Sequence, residues 1–299
     1  MKRISLIVPC LNEEEAIPAF KQEIDRVFKE CLEGYAPELI FVDDGSTDRS
    51  LEMIKKMAEH SPEVKFISFS RNFGKEAAIY AGLEAATGDY AAVMDVDLQD
   101  PPSLLPDMLK AIEKEGYDCA GTRRVTRQGE PLLRSFFARA FYKTIHQISD
   151  TRIVDGARDY KLMTRPVLEA LLSLKEYNRF SKGLYEWVGF RTKWFEYENV
   201  ERAAGTTAWS FWKLFLYSLE GIFAFSTAPL ALASLLGVLS CLIAFIWIIA
   251  IIIKTIVFGE SVQGFPTIMC AIFFVGGLQL FCTGILGQYL SKTSLETKR

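Results

Sequence analysis

The first 125 residues alternate between short runs of β-branched and aliphatic residues and longer amphipathic stretches. This alternation predicts strands over 4–8, 38–42, 64–68 and 90–94, and helices over 14–32, from after Asp48 to about His60, and over 75–86. Helices between strands require crossover connections, which favour an α/β fold with a mostly parallel, doubly wound sheet. Small residues in the third helix are expected to let it pack closely on the sheet. Residues 151–200 are expected to add further strands and a helix.

Two long apolar tracts lie near the end of the chain. No charged residue occurs from Gly221 to Ile253 or from Ser261 to Ser291, and a helix that spans a bilayer needs about 20 apolar residues. The pattern predicts a hairpin of two transmembrane helices, over residues 229–254 and 264–290. A pair of buried core helices is the alternative, but the run from 242 to 253 is apolar on every face, as lipid-exposed helices are.

The segments beside these regions are typical of a membrane surface. Basic and apolar side chains interleave over 126–150, which predicts a basic amphipathic helix at the membrane, although an ordinary surface helix is the alternative. Residues 209–228 are rich in aromatic side chains, which prefer the headgroup level of a bilayer. We therefore assign residues 1–208 to the α/β domain, 209–228 to interfacial juxtamembrane helices, and 291–299 to a cytoplasmic tail.

The charge pattern predicts the orientation of the chain. The apolar run at 4–9 is too short for a signal peptide and is followed at once by acidic residues. The α/β domain is therefore expected to stay in the cytoplasm, with the C-terminus on the same side. Lys292, Lys298 and Arg299 after the second span agree with the positive-inside rule. The sequence thus predicts a multi-pass protein of the inner (plasma) membrane.

Composition narrows the possible partners. The 299 residues carry 34 Lys and Arg against 37 Asp and Glu, a formal net charge of −3, so nucleic acid is not an expected partner. The six cysteines are scattered without the spacing of metal ligands. In a cytoplasmic chain they are expected to stay reduced and to serve as small apolar side chains.

Paired carboxylates follow two of the predicted strands. Asp95 and Asp97 are two residues apart, so their side chains point to the same side of the chain and repel each other unless a cation lies between them. Mg²⁺ bound to a diphosphate commonly fills that role. An Asp-x-Asp pair alone is a weak signal, but the extension through Gln99 to Pro102 is much rarer by chance.

A second acidic pair, Asp43 and Asp44, lies in a Gly-Ser turn after the second strand. Carboxylates there can accept hydrogen bonds from ribose hydroxyls or a base N–H, and capping of the next helix is the alternative. Because ligands bind at the carboxyl ends of parallel strands, both pairs are expected at the binding edge of the sheet.

The ordered motifs resemble a known family. They are Val-Pro-Cys-Leu-Asn-Glu (8–13), Val-Asp-Asp-Gly-Ser-Thr-Asp (42–48), Arg-Asn-Phe-Gly-Lys (71–75) and Met-Asp-Val-Asp-Leu-Gln-Asp-Pro-Pro (94–102). Together they resemble family 2 glycosyltransferases of the GT-A fold, within the branch of dolichol-phosphate mannose synthase and the bactoprenol glucosyltransferases. Segments 159–163, 178–180, 187–190 and 202–205 and the terminal spans extend the likeness through the chain.

The resemblance implies inverting transfer of one sugar from a nucleotide-sugar to polyprenyl (undecaprenyl) phosphate, with Mg²⁺ or Mn²⁺ as cofactor. The lipid product would serve in modification of cell-envelope glycans. The implied nucleotide-binding residues are Pro9, Leu11, Glu13, Asp43, Asp44, Lys75 and Asp95. The implied metal ligands are Asp95, Asp97 and Gln99. Asp97 and Asp159 are the implied catalytic residues, with Asp159 positioning the acceptor; the alternative for Asp159 is a salt bridge with Arg158 or Lys161.

Arginines are expected to hold the phosphate of the acceptor, because the guanidinium fork matches two phosphate oxygens. The candidates are Arg123, Arg134, Arg139 and Arg202. In many relatives the segment that corresponds to 202–205 is followed by Ser-Lys and an aromatic residue, whereas here Gly205 is followed by Thr206, Thr207 and Ala208. This departure removes a cation that relatives carry.

The sugar is the least determined feature. UDP-glucose is the expected donor, followed by UDP-N-acetylglucosamine and then GDP-mannose, and a homo-oligomer such as a tetramer is compatible with the family. Two alternatives remain: a catalytically idle membrane scaffold, which the missing lysine favours, and a processive polysaccharide synthase, which the absence of a Gln-x-x-Arg-Trp motif disfavours.

Overall fold

The structure is a computed structural model that describes residues 1–124, 154, 156–177, 179–197, 228–258 and 264–297. The chain divides into two compact units. Most of the first unit is an α/β domain, and the described part of the second consists of two long helices. The predicted basic segment 126–150 lies outside the described residues, as does all of the interfacial segment 209–228 except its last residue.

A seven-stranded sheet forms the centre of the first unit. Its strands are β1 (Lys2–Cys10), β2 (Tyr35–Asp43), β3 (Val64–Ser68), β4 (Tyr90–Val93), β5 (Cys119–Arg124), β6 (Ala157–Thr164) and β7 (Thr192–Tyr197). Their spatial order is β3-β2-β1-β4-β6-β5-β7. β6 runs antiparallel to both of its neighbours, and every other neighbouring pair is parallel. The predicted α/β class and mostly parallel sheet are confirmed.

Helices connect these strands. They are α1 (Ala16–Cys31), α2 (Ser50–His60), α3 (Lys75–Ala85), a short 3₁₀ helix (Pro102–Leu104), α4 (Leu105–Glu115), α5 (Arg165–Ser173) and α6 (Ser181–Trp187). Each predicted strand and helix of the first hundred residues is present, with bounds that differ by a few residues. The described part of 151–200 contains two strands and two helices, so the prediction of a single helix there was wrong.

β1 is buried on both faces, as a central strand of an α/β sheet must be. Ile4 and Leu6 face the main core, where Phe20 of α1 packs. On the other face Ile7 meets α3 so closely that a Cβ built on Gly82 would lie 2.3 Å from the Ile7 Cγ2. Helices thus cover both faces of the sheet, and the expected close packing of α3 is confirmed.

A buried carboxylate joins the strands at the edge opposite the predicted site. Glu38 of β2 is 2 % exposed and accepts hydrogen bonds from the Ser5 hydroxyl of β1 and from the Thr87 N–H at 2.9 Å. Lys65 of β3 forms an ion pair with the same carboxylate. Burial alone would raise the pKa of Glu38, but these donors outweigh it and lower the pKa to about 2.

The second unit contains α7 (Ala228–Phe258) and α8 (Phe265–Glu296). Within the described residues, length and composition identify one helix able to cross a membrane, Pro229–Ile253. This stretch coincides with the first predicted span. The second predicted span, residues 264–290, overlaps α8 from its first residue onward and stays a prediction.

We predict that Glu38→Gln lowers the free energy of unfolding by about 1–3 kcal/mol at pH 7, because the amide presents a donor to groups that donate. A lowered folded-state pKa contributes stability above the ordinary carboxyl pKa, and this contribution is lost as the pH falls toward 2. The variant should therefore lose less stability than the original chain between pH 5 and pH 3, an interval set by that shift.

Denaturant unfolding at pH 7 measures the loss of stability, and unfolding at pH 5 and at pH 3 measures its dependence on pH. Glu52→Gln is the matched control, because Glu52 forms an ion pair with Lys56 at 2.7 Å on the exposed face of α2, where such a pair contributes little. Equal costs for the two substitutions at pH 7 would contradict the structural role of Glu38.

Candidate functional site

Loops that follow three parallel strands meet at one edge of the sheet. Cys10 at the end of β1 pairs with Asp43 at the end of β2, and Ile7 pairs with Val93 at the end of β4. The predicted residues fall on this edge as follows: Pro9 and Asp43 near strand ends, Leu11, Glu13 and Asp44 in the loops after β1 and β2, Lys75 at the start of α3, Asp95, Asp97 and Gln99 after β4, and Asp159 in β6. The expected convergence at the carboxyl edge is confirmed.

Reciprocal hydrogen bonds join the first two loops. Asn12 has a positive φ of 56°, and its backbone N–H donates to Ser46 Oγ at 3.0 Å while its side-chain oxygen accepts the Thr47 N–H at 2.8 Å. The Glu13 N–H donates to Ser50 Oγ at 2.8 Å. These bonds fix the two loops as one wall of the site, with the Leu11 side chain exposed beside them.

Asp44 has a local role that the sequence pattern did not indicate. Its carboxylate is almost fully buried and accepts the N–H of Phe73 at 2.7 Å and the N–H of Gly74 at 2.9 Å. Gly45 next to it has a φ of +75°, and a Cβ there would lie 2.6 Å from the backbone carbon of Arg71. The second loop therefore holds the Arg-Asn-Phe-Gly segment that leads into α3.

Asp43 is held more loosely than its neighbour. Its oxygens accept the Ser46 N–H at 3.3 Å and the Ser68 hydroxyl at 3.4 Å. Nucleotide contact by Asp43 or Asp44 stays a prediction.

One ammonium group lies between two carboxylates at the centre of this edge. Lys75 Nζ is 2.6 Å from Asp95 Oδ1 and 2.6 Å from Asp159 Oδ2. The Asp44-bound segment ends at Gly74, so it sets where α3 begins and where Lys75 stands. The side chains of the two aspartates are about one-fifth exposed, whereas that of Lys75 is 40 % exposed.

The strand register explains why these two aspartates meet. β4 and β6 pair antiparallel, with Val93 opposite Lys161. Continued by two residues, this register brings Asp95 opposite Asp159. The alternative partners of Asp159 were wrong, because Arg158 pairs with Asp100 at 3.0 Å and Lys161 with Glu186 at 3.5 Å.

Charge interactions keep Asp159 ionised. Burial would raise the pKa of its carboxyl, but the Lys75 ammonium, helped by Lys182, outweighs burial and holds that pKa well below its usual range. Burial lowers the pKa of Lys75, but the carboxylates of Asp159 and Asp95 raise it by more, so the net shift is upward. Asp159 and Lys75 therefore remain charged throughout the neutral range.

The acidic loop after β4 is anchored by an ion pair of a buried carboxylate. Asp100 is 1 % exposed, and its Oδ1 accepts from Arg158 Nε at 3.0 Å and from the Tyr197 hydroxyl. Leu98 has a positive φ of 56°, and the Gln99 N–H donates to Asp97 Oδ1 at 3.1 Å. No role was predicted for Asp100, although its place in the motif was a signal.

The acidic residues suit a metal that is shared with a phosphate ligand. Within the ranges that the structure describes, no three His, Cys, Asp or Glu side chains are arranged to hold an ion by themselves. Mg²⁺, however, usually takes one or two protein carboxylates together with phosphate oxygens and water. Two carboxylates already converge on a cation here, and buried Asp97 lies two residues from Asp95. The residues therefore fit a divalent ion that arrives with a diphosphate.

The predicted acceptor arginines are largely untested by the structure. Arg123 forms an ion pair with Glu196 between β5 and β7. Arg134, Arg139 and Arg202 lie outside the described residues, as does the Gly205–Ala208 departure.

Comparison with known proteins identifies similar sequences. Residues 5–172 match the model of glycosyl transferase family 2. The chain is 41 % identical over 297 residues to the prophage bactoprenol glucosyl transferase homolog of Escherichia coli strain K12, covering 99 % of this chain and 96 % of that protein. It is 42 % identical over 296 residues to the bactoprenol glucosyl transferase of Shigella phage SfX, with coverage of 99 % and 96 %.

A solved structure provides a more distant match. Glucosyl-3-phosphoglycerate synthase from Mycobacterium tuberculosis, in complex with Mn²⁺, UDP and glucosyl-3-phosphoglycerate, aligns with a TM-score of 0.48 and 21 % identity, covering 74 % of this chain and 78 % of that chain. This likeness is too distant to support a statement about the ligands of this chain.

We predict that Asp44→Asn lowers the free energy of unfolding by about 1–3 kcal/mol, because one backbone N–H of Phe73 or Gly74 then faces an amide donor. Hydrogen exchange of the segment 71–75 should accelerate in the variant, and exchange measured by mass spectrometry on the folded chain detects this. Asp43→Asn is the matched control, since the bonds to Asp43 are longer. Equal exchange in the two variants would contradict the anchoring role of Asp44.

Proposed function

Because the chain belongs to glycosyl transferase family 2, we propose that it transfers a single sugar from a nucleotide-sugar to the phosphate of a polyprenyl lipid, undecaprenyl phosphate. The observation that carries the proposal is the meeting of Asp95 and Asp159 on one ammonium at the carboxyl edge of the sheet. The site collects negative charge from two strands where a diphosphate and a cation would bind. The names of the full-length bactoprenol relatives support the lipid acceptor.

UDP-glucose is the proposed donor. The relatives named as glucosyl transferases support glucose, and the joined loops after β1 and β2 offer a wall for the nucleoside. UDP-N-acetylglucosamine and GDP-mannose are the competing donors. Pro9, Leu11, Glu13, Asp43 and Asp44 are the proposed nucleoside residues.

Asp95, Asp97 and Gln99 would hold Mg²⁺ or Mn²⁺ together with the diphosphate. The bound cation would neutralise the charge that develops on the departing nucleoside diphosphate. In the proposed reaction, an oxygen of the lipid phosphate attacks the anomeric carbon. The bond from that carbon to the diphosphate oxygen breaks, and its electron pair leaves with the diphosphate. The displacement is in line, so the configuration of the sugar inverts.

Asp159 acts as a positioning group in this proposal. A lipid phosphate is already ionised near neutral pH and needs little help from a base. A carboxylate whose pKa is held far below neutrality by Lys75 is also a poor proton acceptor. The ionised Asp159 would therefore organise the charges around the acceptor instead of removing a proton.

The finer architecture belongs to the same proposal. We assign the domain to the GT-A fold on its motifs and on the mixed seven-stranded sheet with one antiparallel strand. The apolar stretch Pro229–Ile253 supports one membrane span, and the charge-free run within α8 supports the second. The catalytic domain would then face the cytoplasm, with the basic segment 126–150 and Arg123, Arg134, Arg139 and Arg202 toward the lipid phosphate.

We predict that the full chain, purified in detergent, moves radiolabel from UDP-glucose into undecaprenyl phosphate. EDTA should abolish the transfer and excess Mn²⁺ should restore it, with UDP-N-acetylglucosamine and GDP-mannose assayed in parallel. Asp97→Asn should reduce the rate at least about a hundredfold, because a neutral amide replaces one of the two carboxylates proposed to bind the cation.

The control is Asp107→Asn, which makes the same change at an exposed position in the first turn of α4 that is not a predicted site residue, and should retain activity. Absence of transfer from every donor, with UDP binding intact, would contradict the proposed reaction and favour the idle scaffold.

A further inference from the structure

The ammonium of Lys75 lies between two carboxylates. It contacts one oxygen of Asp95 and one of Asp159, each at 2.6 Å. Asp95 is also a proposed ligand of the divalent cation. The same carboxylate therefore serves a resident ammonium in the free protein and a metal ion in the proposed complex.

The geometry allows this ammonium to move. The side chain of Lys75 is 40 % exposed, more than either carboxylate that it contacts. A lysine carries a compact charge on a flexible four-carbon stem, so a small rotation changes its partner without moving the backbone. The backbone, in contrast, is fixed by the bonds from Phe73 and Gly74 to Asp44. The backbone before Lys75 is therefore fixed, while its ammonium group is free to change position.

Like charges explain why a cation is needed before the metal arrives. Asp95 and Asp159 approach a common point, and two carboxylates at such a separation repel unless a positive charge lies between them. Asp97 adds a third carboxyl group two residues from Asp95. The guanidinium of Arg158, directly before Asp159, is already paired with Asp100 at 3.0 Å.

We propose that Lys75 is an exchangeable counter-ion: it neutralises Asp95 and Asp159 in the free protein, yields Asp95 to the divalent cation, and then pairs with the diphosphate of the donor. The inference rests on the proposed function and adds an order of events to it. Metal alone competes with the ammonium and binds weakly. Metal with a diphosphate binds more tightly, because the displaced ammonium gains a new partner.

The first test measures Mn²⁺ binding by electron paramagnetic resonance on the full chain in detergent, without nucleotide. Lys75→Gln removes the competing charge and should tighten Mn²⁺ binding about tenfold, the scale of one charge interaction a few ångströms away in a partly exposed site. In saturating Mn²⁺ the same variant should bind UDP about tenfold more weakly. Lys193→Gln is the control, because it removes a lysine paired with Glu115 at 2.6 Å, and both affinities should stay unchanged.

The second test uses the unmodified chain and does not depend on how the variant folds. Reductive methylation followed by mass spectrometry gives the labelling rate of individual lysines. Mn²⁺ alone should accelerate labelling of Lys75 relative to Lys193, and addition of UDP should slow it again. A Lys75 rate that responds to neither ligand would overturn the proposal.

The outcomes separate the inference from the proposed function. Mn²⁺ binding that is unchanged or weaker in Lys75→Gln, with normal Mn²⁺-dependent UDP binding by the unmodified chain, overturns the counter-ion role alone. If the unmodified chain binds no Mn²⁺ either in the absence or in the presence of UDP, both the counter-ion role and the proposed metal dependence are overturned.

Discussion

The shared contact of Lys75 with Asp95 and Asp159 is the interaction on which the site depends. It joins the start of α3, the loop after β4 and the antiparallel strand β6, which are separate in sequence. Without a positive charge at that point, two partly buried carboxylates would face each other in a medium of low polarity. A cation at this point therefore stabilises the two carboxylates, and the proposed metal diphosphate would bring a second one.

The neighbouring contacts hold these charges in place. Asp44 fixes the segment that precedes Lys75 through two backbone N–H groups. The ion pair of Asp100 with Arg158 fixes the loop that carries Asp95, and Arg158 is the residue directly before Asp159. Asp44 was predicted to contact the nucleotide and Asp100 had no predicted role. Both residues hold the segments that carry Lys75, Asp95 and Asp159. Their positions in the motifs reflect the need to hold charges at a fixed spacing.

Local patterns predicted most of the α/β domain but little of its pairing. The β-branched run of the first strand and the small residues of α3 are properties of single segments, so local pattern was enough to predict that strand and the close packing of that helix. The antiparallel insertion of β6 depends on which strand it meets after a long connection, and no local signal encodes that choice. The partner of Asp159 was unpredictable for the same reason: Arg158 and Lys161 were the alternatives that the sequence suggested, whereas the observed partner, Lys75, is distant in sequence and meets Asp159 only in the folded domain.

The candidate site shows the same division. The motifs placed Asp43, Asp95 and Asp97 at the carboxyl edge because parallel strands bring their ends together. The hydrogen bonds of Asp44 and the ion pair of Asp100 are long-range contacts, and each requires the folded sheet.

The most direct test of the account is anomalous X-ray scattering from crystals of the chain with UDP and Mn²⁺. We expect a manganese peak beside the carboxylates of the loop after β4, shared with the diphosphate, and Lys75 Nζ in contact with a phosphate oxygen. A manganese peak remote from Asp95 and Asp97, or bound UDP with Lys75 still between Asp95 and Asp159 and no manganese beside it, would contradict it.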